Sequence, residues 1–173
     1  AHGLLRARVT NFRVVDRSER GREGPWLTYA RMATLRSPKE VNGPDLDVPS
    51  LTFQAWFEAQ HGAAAWVALN KIAKQDWAAY LLWLRRVLGL DIENGVELTG
   101  IEPDGEHLRA TLVHLADGRS ETVVTRKLVL ATGIEASGRW WAPPQVEGLD
   151  RRFWAHTGED IDFAALAGRR VAV

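Results

Sequence analysis

The 173-residue sequence contains no cysteine. That absence excludes disulfide scaffolds, Cys-based zinc sites, iron–sulfur ligation and thiol catalysis within this span. A charge of one sign is also lacking: 22 Lys and Arg balance 22 Asp and Glu. A neutral chain argues against nucleic acid or an anionic membrane as the main partner, because such binding draws on clustered positive charge. No apolar run approaches the ~20 residues that a membrane helix requires. None of the five histidines stands in a metal motif such as His-Glu-x-x-His, and the serines lack any nucleophile-elbow context. A signal-peptide pattern is missing as well. The opening Ala1-His2-Gly3-Leu4-Leu5 has no initiator Met and reads as the middle of a helix, so truncation at the front is expected.

What is present suits a folded domain: 46% hydrophobic and 25% charged residues, with eight Trp. Most of those tryptophans are expected in the core. Residues 4–9 predict the last turns of a helix, and Phe12-Arg13-Val14-Val15 a short strand ending at Asp16. Residues 17–26 form a polar, glycine-rich loop, and Pro38, Gly43-Pro44 and Pro49 punctuate an irregular stretch to residue 49. Thr52 is a candidate N-cap for a helix through Gln60, and a second helical pattern covers Ala63 to Leu69. The strongest helix runs from Asp76, as N-cap, to Leu88, with Gly89 as its stop and a stripe of Trp77, Tyr80, Leu81, Trp83, Leu84, Val87 and Leu88. Three alternating segments, 96–101, 107–115 and 121–125, predict a meander with turns at Asp104-Gly105 and Asp117-Gly118. Lys127 to Ala131 is continuously apolar after its first residue, the pattern of a strand covered on both faces.

That last segment continues into Thr132-Gly133, then Pro143-Pro144, Gly148-Leu149, His156 and Arg169-Arg170-Val171-Ala172-Val173. The ordered set resembles the middle of a two-dinucleotide flavoprotein of the flavin-containing monooxygenase type. In that family the Ala-Thr-Gly strand closes the FAD domain and the next strand opens the NADPH domain. The resemblance implies an α/β fold: a three-layer Rossmann-like FAD-binding domain with a β-meander and inserted helices, truncated at both ends. Residues 1–150 would be a partial FAD-binding domain without its first strand and glycine loop. Residues 151–173 would be a linker and the first strand of an NAD(P)-binding domain. Dithiol reductases share this architecture, but the missing cysteines set them aside.

The resemblance also assigns candidate cofactor-binding residues. Asp16, at the tip of a strand, is placed to accept hydrogen bonds from the adenosine ribose. Gly24 and Trp26 stand where related monooxygenases carry a Gly-Gly-x-Trp that helps to wall in the flavin, although here only one glycine precedes Pro25-Trp26. Arg36 replaces the Asn of the family's Asn-x-x-Lys motif, with Lys39 following. Leu98 lies on a strand that gives the FAD adenine backbone hydrogen bonds. Thr132 and Gly133 match the Ala-Thr-Gly turn and are expected against the FAD. Phe153-Trp154-Ala155-His156-Thr157 resembles, with shortened spacing and no glycine, the His segment linking the two domains. No metal ligand and no catalytic acid, base or nucleophile is assigned.

The function implied is part of an FAD- and NAD(P)H-dependent oxidoreductase, a cytoplasmic flavoprotein monooxygenase that oxygenates a small molecule. A flavin reductase or dehydrogenase without oxygen insertion, and a non-catalytic Trp-rich binding module, remain as alternatives. The chain by itself is expected to be inactive. Oligomeric state is left open.

Overall fold

A computed structural model describes residues 1–44, 46–133, 138 and 140–172. The chain divides into two compact units, residues 1–129 and 130–173.

In the first unit a short helix, α1 (His2–Arg6), leads to β1 (Val15–Asp16), which is shorter than the strand expected from Phe12 but ends, as expected, at Asp16. Among the described residues of the segment 17–52 the only helical turns are single 3-10 turns at Lys39–Val41 and Pro49–Leu51. Three helices follow: α2 (Phe53–His61), α3 (Ala63–Ala68) and α4 (Lys74–Val87). They feed β2 (Glu93–Asn94), which pairs in parallel with β1 in the register Val15↔Glu93 and Asp16↔Asn94. A parallel pair needs a long crossover, and here the helices supply it. The meander comes next as β3 (Val96–Asp104), β4 (His107–His114) and β5 (Ser120–Thr125), antiparallel in the order 3-4-5. Its turns use Gly105 at φ +60° and Gly118 at φ +71°, conformations that a Cβ disfavours. The register shifts between Leu98 and Gly100, a bulge in β3.

Local signals account for several boundaries. Thr52 Oγ1 accepts from Ala55 N at 3.2 Å and caps α2. Gly62 ends that helix at φ +84°, and Gly89 follows α4 at φ +58°. The start of α4 differs from the expectation, because Ala73 is its N-cap and Asp76 lies in its first turn. Lys74 N donates to Ala33 O at 3.1 Å, beside an isolated bridge between Thr34 and Ala73. A neighbouring backbone carbonyl thus does what a side-chain cap would do, while Asp76 still favours the positive end of the helix.

The core of this unit is aromatic. Phe53, Ile72 and Tyr80 have no exposed surface. Phe53 is the hub, with ring centroids of Tyr80, Trp56, Trp77, Phe57 and Trp66 between 5.4 and 6.3 Å away. Tyr80 Oη donates to Leu51 O at 2.7 Å, so the buried hydroxyl is satisfied, and burial pushes its phenol up to about 12. The α4 stripe is buried at Trp77, Tyr80 and Leu84, but Val87 at its end is exposed.

Two expected strands are not formed. Residues 127–131 form no strand with any of the described residues, and Val129 is 81% exposed. An apolar run is not a strand until another chain segment takes its backbone groups, and among the described residues none does so. Residues 169–172 likewise adopt no strand and are exposed. The second unit contains α5 (Pro144–Glu147), opened by Pro144 at the first helical position. Single 3-10 turns follow at Arg151–Phe153 and Ala164–Leu166.

Truncating the hub, Phe53→Ala, is expected to destabilise the protein by ~3–5 kcal/mol, through lost burial and the cavity left behind. Denaturant unfolding measures this, and a loss below about 1 kcal/mol would show that the cluster repacks around the void.

Candidate functional site

Asp16 and Asn94 are the last residues of two parallel strands, so they stand side by side at the carboxyl ends of the pair. In open α/β sheets ligands bind outside such ends. An open groove lies there, lined by Arg17, Ser18, Glu19 and Arg22 from the loop after β1, by Thr28, and by Glu97 and Leu115 of the meander. Half-buried Asp16 accepts the Ser18 N–H on Oδ1 at 2.8 Å. Among the described residues its Oδ2 has no hydrogen-bond partner and remains available as an acceptor.

Two charged networks hold this corner. Arg13, just before β1, donates to Glu93 Oε1 and Oε2 at 2.8 and 2.7 Å and to Glu121 Oε1 at 2.8 Å. One guanidinium thereby ties β1, β2 and β5. His114 Nε2 lies 3.1 Å from the same Glu121 oxygen. The Arg13 hydrogen bond, then that of His114, pushes the Glu121 carboxyl down to about 2. Arg13 holds Glu93 below the ordinary range too, and the two carboxylates raise the Arg13 guanidinium, Glu93 first.

The second network centres on Glu23, in the loop. Arg85 Nη1 and Asn94 Nδ2 both donate to Glu23 Oε1, the amide at 2.7 Å, and Gly21 N donates to Oε2 at 2.8 Å. Burial alone would raise this carboxyl. Its own backbone N–H, the Asn94 amide, the Gly21 N–H and the Arg85 guanidinium outweigh burial and hold it below the usual Glu range. Neither network was foreseen from sequence, since Arg13 stands 80 and 108 residues from Glu93 and Glu121, and Glu23 stands 62 and 71 from Arg85 and Asn94, so no local pattern links them.

The other sequence candidates take separate positions. Gly24 is exposed at φ +72°, and a Cβ there would meet nothing within 4 Å. Trp26 packs into the aromatic cluster, edge-on to Trp77 at 6.0 Å. Arg36 is exposed, and its carbonyl accepts from Lys71 Nζ at 2.7 Å. Lys39 donates to the carbonyls of Trp66 and Leu69 at 2.6 and 2.8 Å and caps the end of α3. Leu98 pairs with Leu112 next to the β3 bulge. The structure therefore brings Asp16 and the loop bearing Gly24 to one corner, with the meander behind them.

Thr132 and Gly133 belong to the second unit, where both are exposed and Gly133 has φ +59°. In that unit His156 stacks on Trp140 at 4.9 Å, and its Nδ1 accepts the Gly158 N–H at 3.0 Å. A Cβ at Gly158 would stand 2.8 Å from the Trp140 ring, so a larger residue there would push that exposed ring off His156. Among the described residues no group of three or more His, Asp or Glu could hold a metal ion, and no helix is long and apolar enough to cross a membrane.

Comparison with known proteins adds an independent finding. The FAD-NAD(P)-binding family matches residues 2–135. The FAD-dependent urate hydroxylase of Xanthomonas campestris pv. campestris is 49% identical across the whole chain, which spans 36% of that protein's length. Among solved structures, DfoA bound to FAD, the cadaverine monooxygenase of Erwinia amylovora, aligns at a TM-score of 0.62 and 13% identity, covering 88% of this chain and 36% of that one. The ornithine hydroxylase PvdA of Pseudomonas aeruginosa aligns at 0.56 and 16% identity, covering 72% and 32%. These likenesses show the α/β, Rossmann-like FAD-binding fold, as the sequence resemblance implied.

The Arg13 network makes a pH prediction. A carboxylate whose folded pKa is depressed contributes stability above its unfolded pKa and loses it as pH falls through the folded one. For Glu121 the window runs from 4.5 down to about 2. Thermal unfolding midpoints should therefore fall over that range, and Glu121→Gln should flatten part of the slope, leaving the contribution of Glu93. An identical acid profile in the variant would show that the Arg13–Glu121 contact adds nothing to stability.

Proposed function

The chain belongs to the FAD-NAD(P)-binding family, and from that premise we propose that residues 1–173 form part of an FAD- and NAD(P)H-dependent flavoprotein monooxygenase that hydroxylates urate. The single observation that carries the substrate is the 49% identity to the urate hydroxylase along the whole chain. On this reading residues 1–150 contribute to the FAD-binding domain and residues 151–173 to a linker and the opening of an NAD(P)-binding domain.

The residues present fit the adenosine half of FAD. Asp16 offers Oδ2 to a ribose hydroxyl at the carboxyl end of β1, while Ser18 N holds the other oxygen and so orients the carboxylate. Leu98 would offer its backbone to the adenine beside the β3 bulge. Gly24 would present bare backbone to the cofactor, with nothing occupying the place of a Cβ. Thr132 and the left-handed Gly133 would make the second backbone contact. Trp26 would act from behind, by fixing the loop to the aromatic core. When bound, FAD would carry two electrons from NAD(P)H to dioxygen, with one oxygen atom ending in the substrate and the other in water. The chain's own part is binding, orientation and exclusion of water.

A second reading is a flavin reductase on the same scaffold. Arg36, standing where the family carries Asn, favours it.

Two measurements test the proposal on the full-length protein. Urate should accelerate NAD(P)H oxidation and oxygen uptake with consumption of urate. Oxidation that ignores urate and releases peroxide in equal amount would support the reductase reading instead. Asp16→Ala should weaken FAD binding by ~1.5–3 kcal/mol, the value of a hydrogen bond to a charged group, or roughly ten- to a hundredfold. Asp16→Asn, which keeps an acceptor oxygen, should lose less. Unchanged affinity in Asp16→Ala would remove the ribose assignment.

A further inference from the structure

Loop 17–26 begins directly after Asp16, so its conformation decides where that carboxylate and the groove side chains stand. Glu23, Arg85 and Asn94 hold it from three elements: the loop, the last turn of α4 and the carboxyl end of β2. Besides its bond to Glu23, Arg85 donates through Nη2 to Ile92 O at 3.0 Å and to Asn94 Oδ1 at 3.1 Å. Asn94 Nδ2 donates both to Glu23 and, at 3.0 Å, to Ser18 O. Ser18 O in turn takes the Gly95 N–H at 3.2 Å, and Ser18 N binds Asp16. The chain of bonds thus runs from a nearly buried guanidinium, 11% exposed, to the proposed ribose acceptor.

Such a pair is a poor device for stability alone. Desolvating two charges is costly, and apolar replacements of equal size often fold as well or better. The arrangement even leaves Arg85 Nε buried with no hydrogen-bond partner among the described residues. What the pair does supply is a single geometry, because a planar guanidinium and a carboxylate bond only in fixed directions.

We propose that Glu23, Arg85 and Asn94 are positioning residues for the dinucleotide: they hold the loop after β1 in its cofactor-binding conformation before the cofactor arrives. The inference rests on the FAD reading above. Ordering of the loop then occurs during folding and does not weaken binding. None of the three needs to touch the cofactor.

The test separates positioning from stability in the full-length protein. The apolar pair Glu23→Leu with Arg85→Met should regain the unfolding midpoint that either single substitution loses. Its FAD dissociation constant should nonetheless stay at least ~10-fold above that of the parent protein, because the loop must now order on binding. Hydrogen exchange of residues 17–26 should be faster in the FAD-free variant and return to the parent level once FAD is bound. Asn94→Ala, which keeps the Glu23–Arg85 pair but removes the Asn94 bonds to Ser18 O, Glu23 and Arg85, provides a second route to the same loss of affinity if the double variant does not fold. Parent-like FAD affinity in the double variant, or in Asn94→Ala, overturns the positioning role. A parent protein that binds no FAD overturns the proposed function together with it. A parent that binds FAD but ignores urate overturns the substrate alone and leaves this comparison intact.

Discussion

Everything at the candidate site depends on two rungs of parallel β-ladder, Val15↔Glu93 and Asp16↔Asn94. A ladder this short has little cohesion of its own, since most of the backbone pairing that stabilises a strand is missing. Side chains make up the difference at both ends. Arg13 binds Glu93 at the amino end and reaches on to Glu121 of the meander. Asn94, joined to Glu23 and Arg85, fixes the carboxyl end and the loop beyond it. Polar bonds therefore set the register, and the register sets where Asp16 points.

The helices between the two strands act indirectly. Their aromatic cluster, with Phe53 at its centre, buries the faces of α2, α3 and α4 against one another and draws in Trp26 and Leu35 from the preceding irregular stretch. The long segment 27–52 is thus held mainly by tertiary contacts. Leu35 N donates to Ile72 O at 2.8 Å and Lys74 Nζ to Ala30 O at 2.7 Å, bonds that pin it along the entry to α4. A crossover with a firm core delivers β2 to β1 in one register, which is the condition for a ligand site at their carboxyl ends. The two charged networks and the aromatic cluster perform different tasks, the one directional and the other cohesive.

Features ruled by a few neighbouring residues were legible from sequence: the Thr52 cap, the Gly62 and Gly89 stops, the glycine turns of the meander, and a strand ending at Asp16. Each follows from steric or hydrogen-bonding rules that act within about five residues. The start of α4 was misread because its first N–H finds a carbonyl at Ala33, 41 positions away, a partner no local rule contains. Residues 128–131 show the converse failure. Their apolar character suited a buried strand, yet a strand is defined by its partners, and the described residues supply none. The Glu23 and Arg13 networks were invisible for the same reason. Their component residues looked like ordinary solvated charges in a chain with no net charge.

The central claim is that the dinucleotide's adenosine lies beyond the carboxyl ends of β1 and β2, with its ribose on Asp16. A crystal structure of the full-length protein with FAD tests it most directly. The account predicts a ribose hydroxyl within ~2.6–3.2 Å of the Asp16 carboxylate, with Glu23, Arg85 and Asn94 bonded to one another as they are without ligand. An adenosine bound elsewhere, with Asp16 facing solvent, would contradict it.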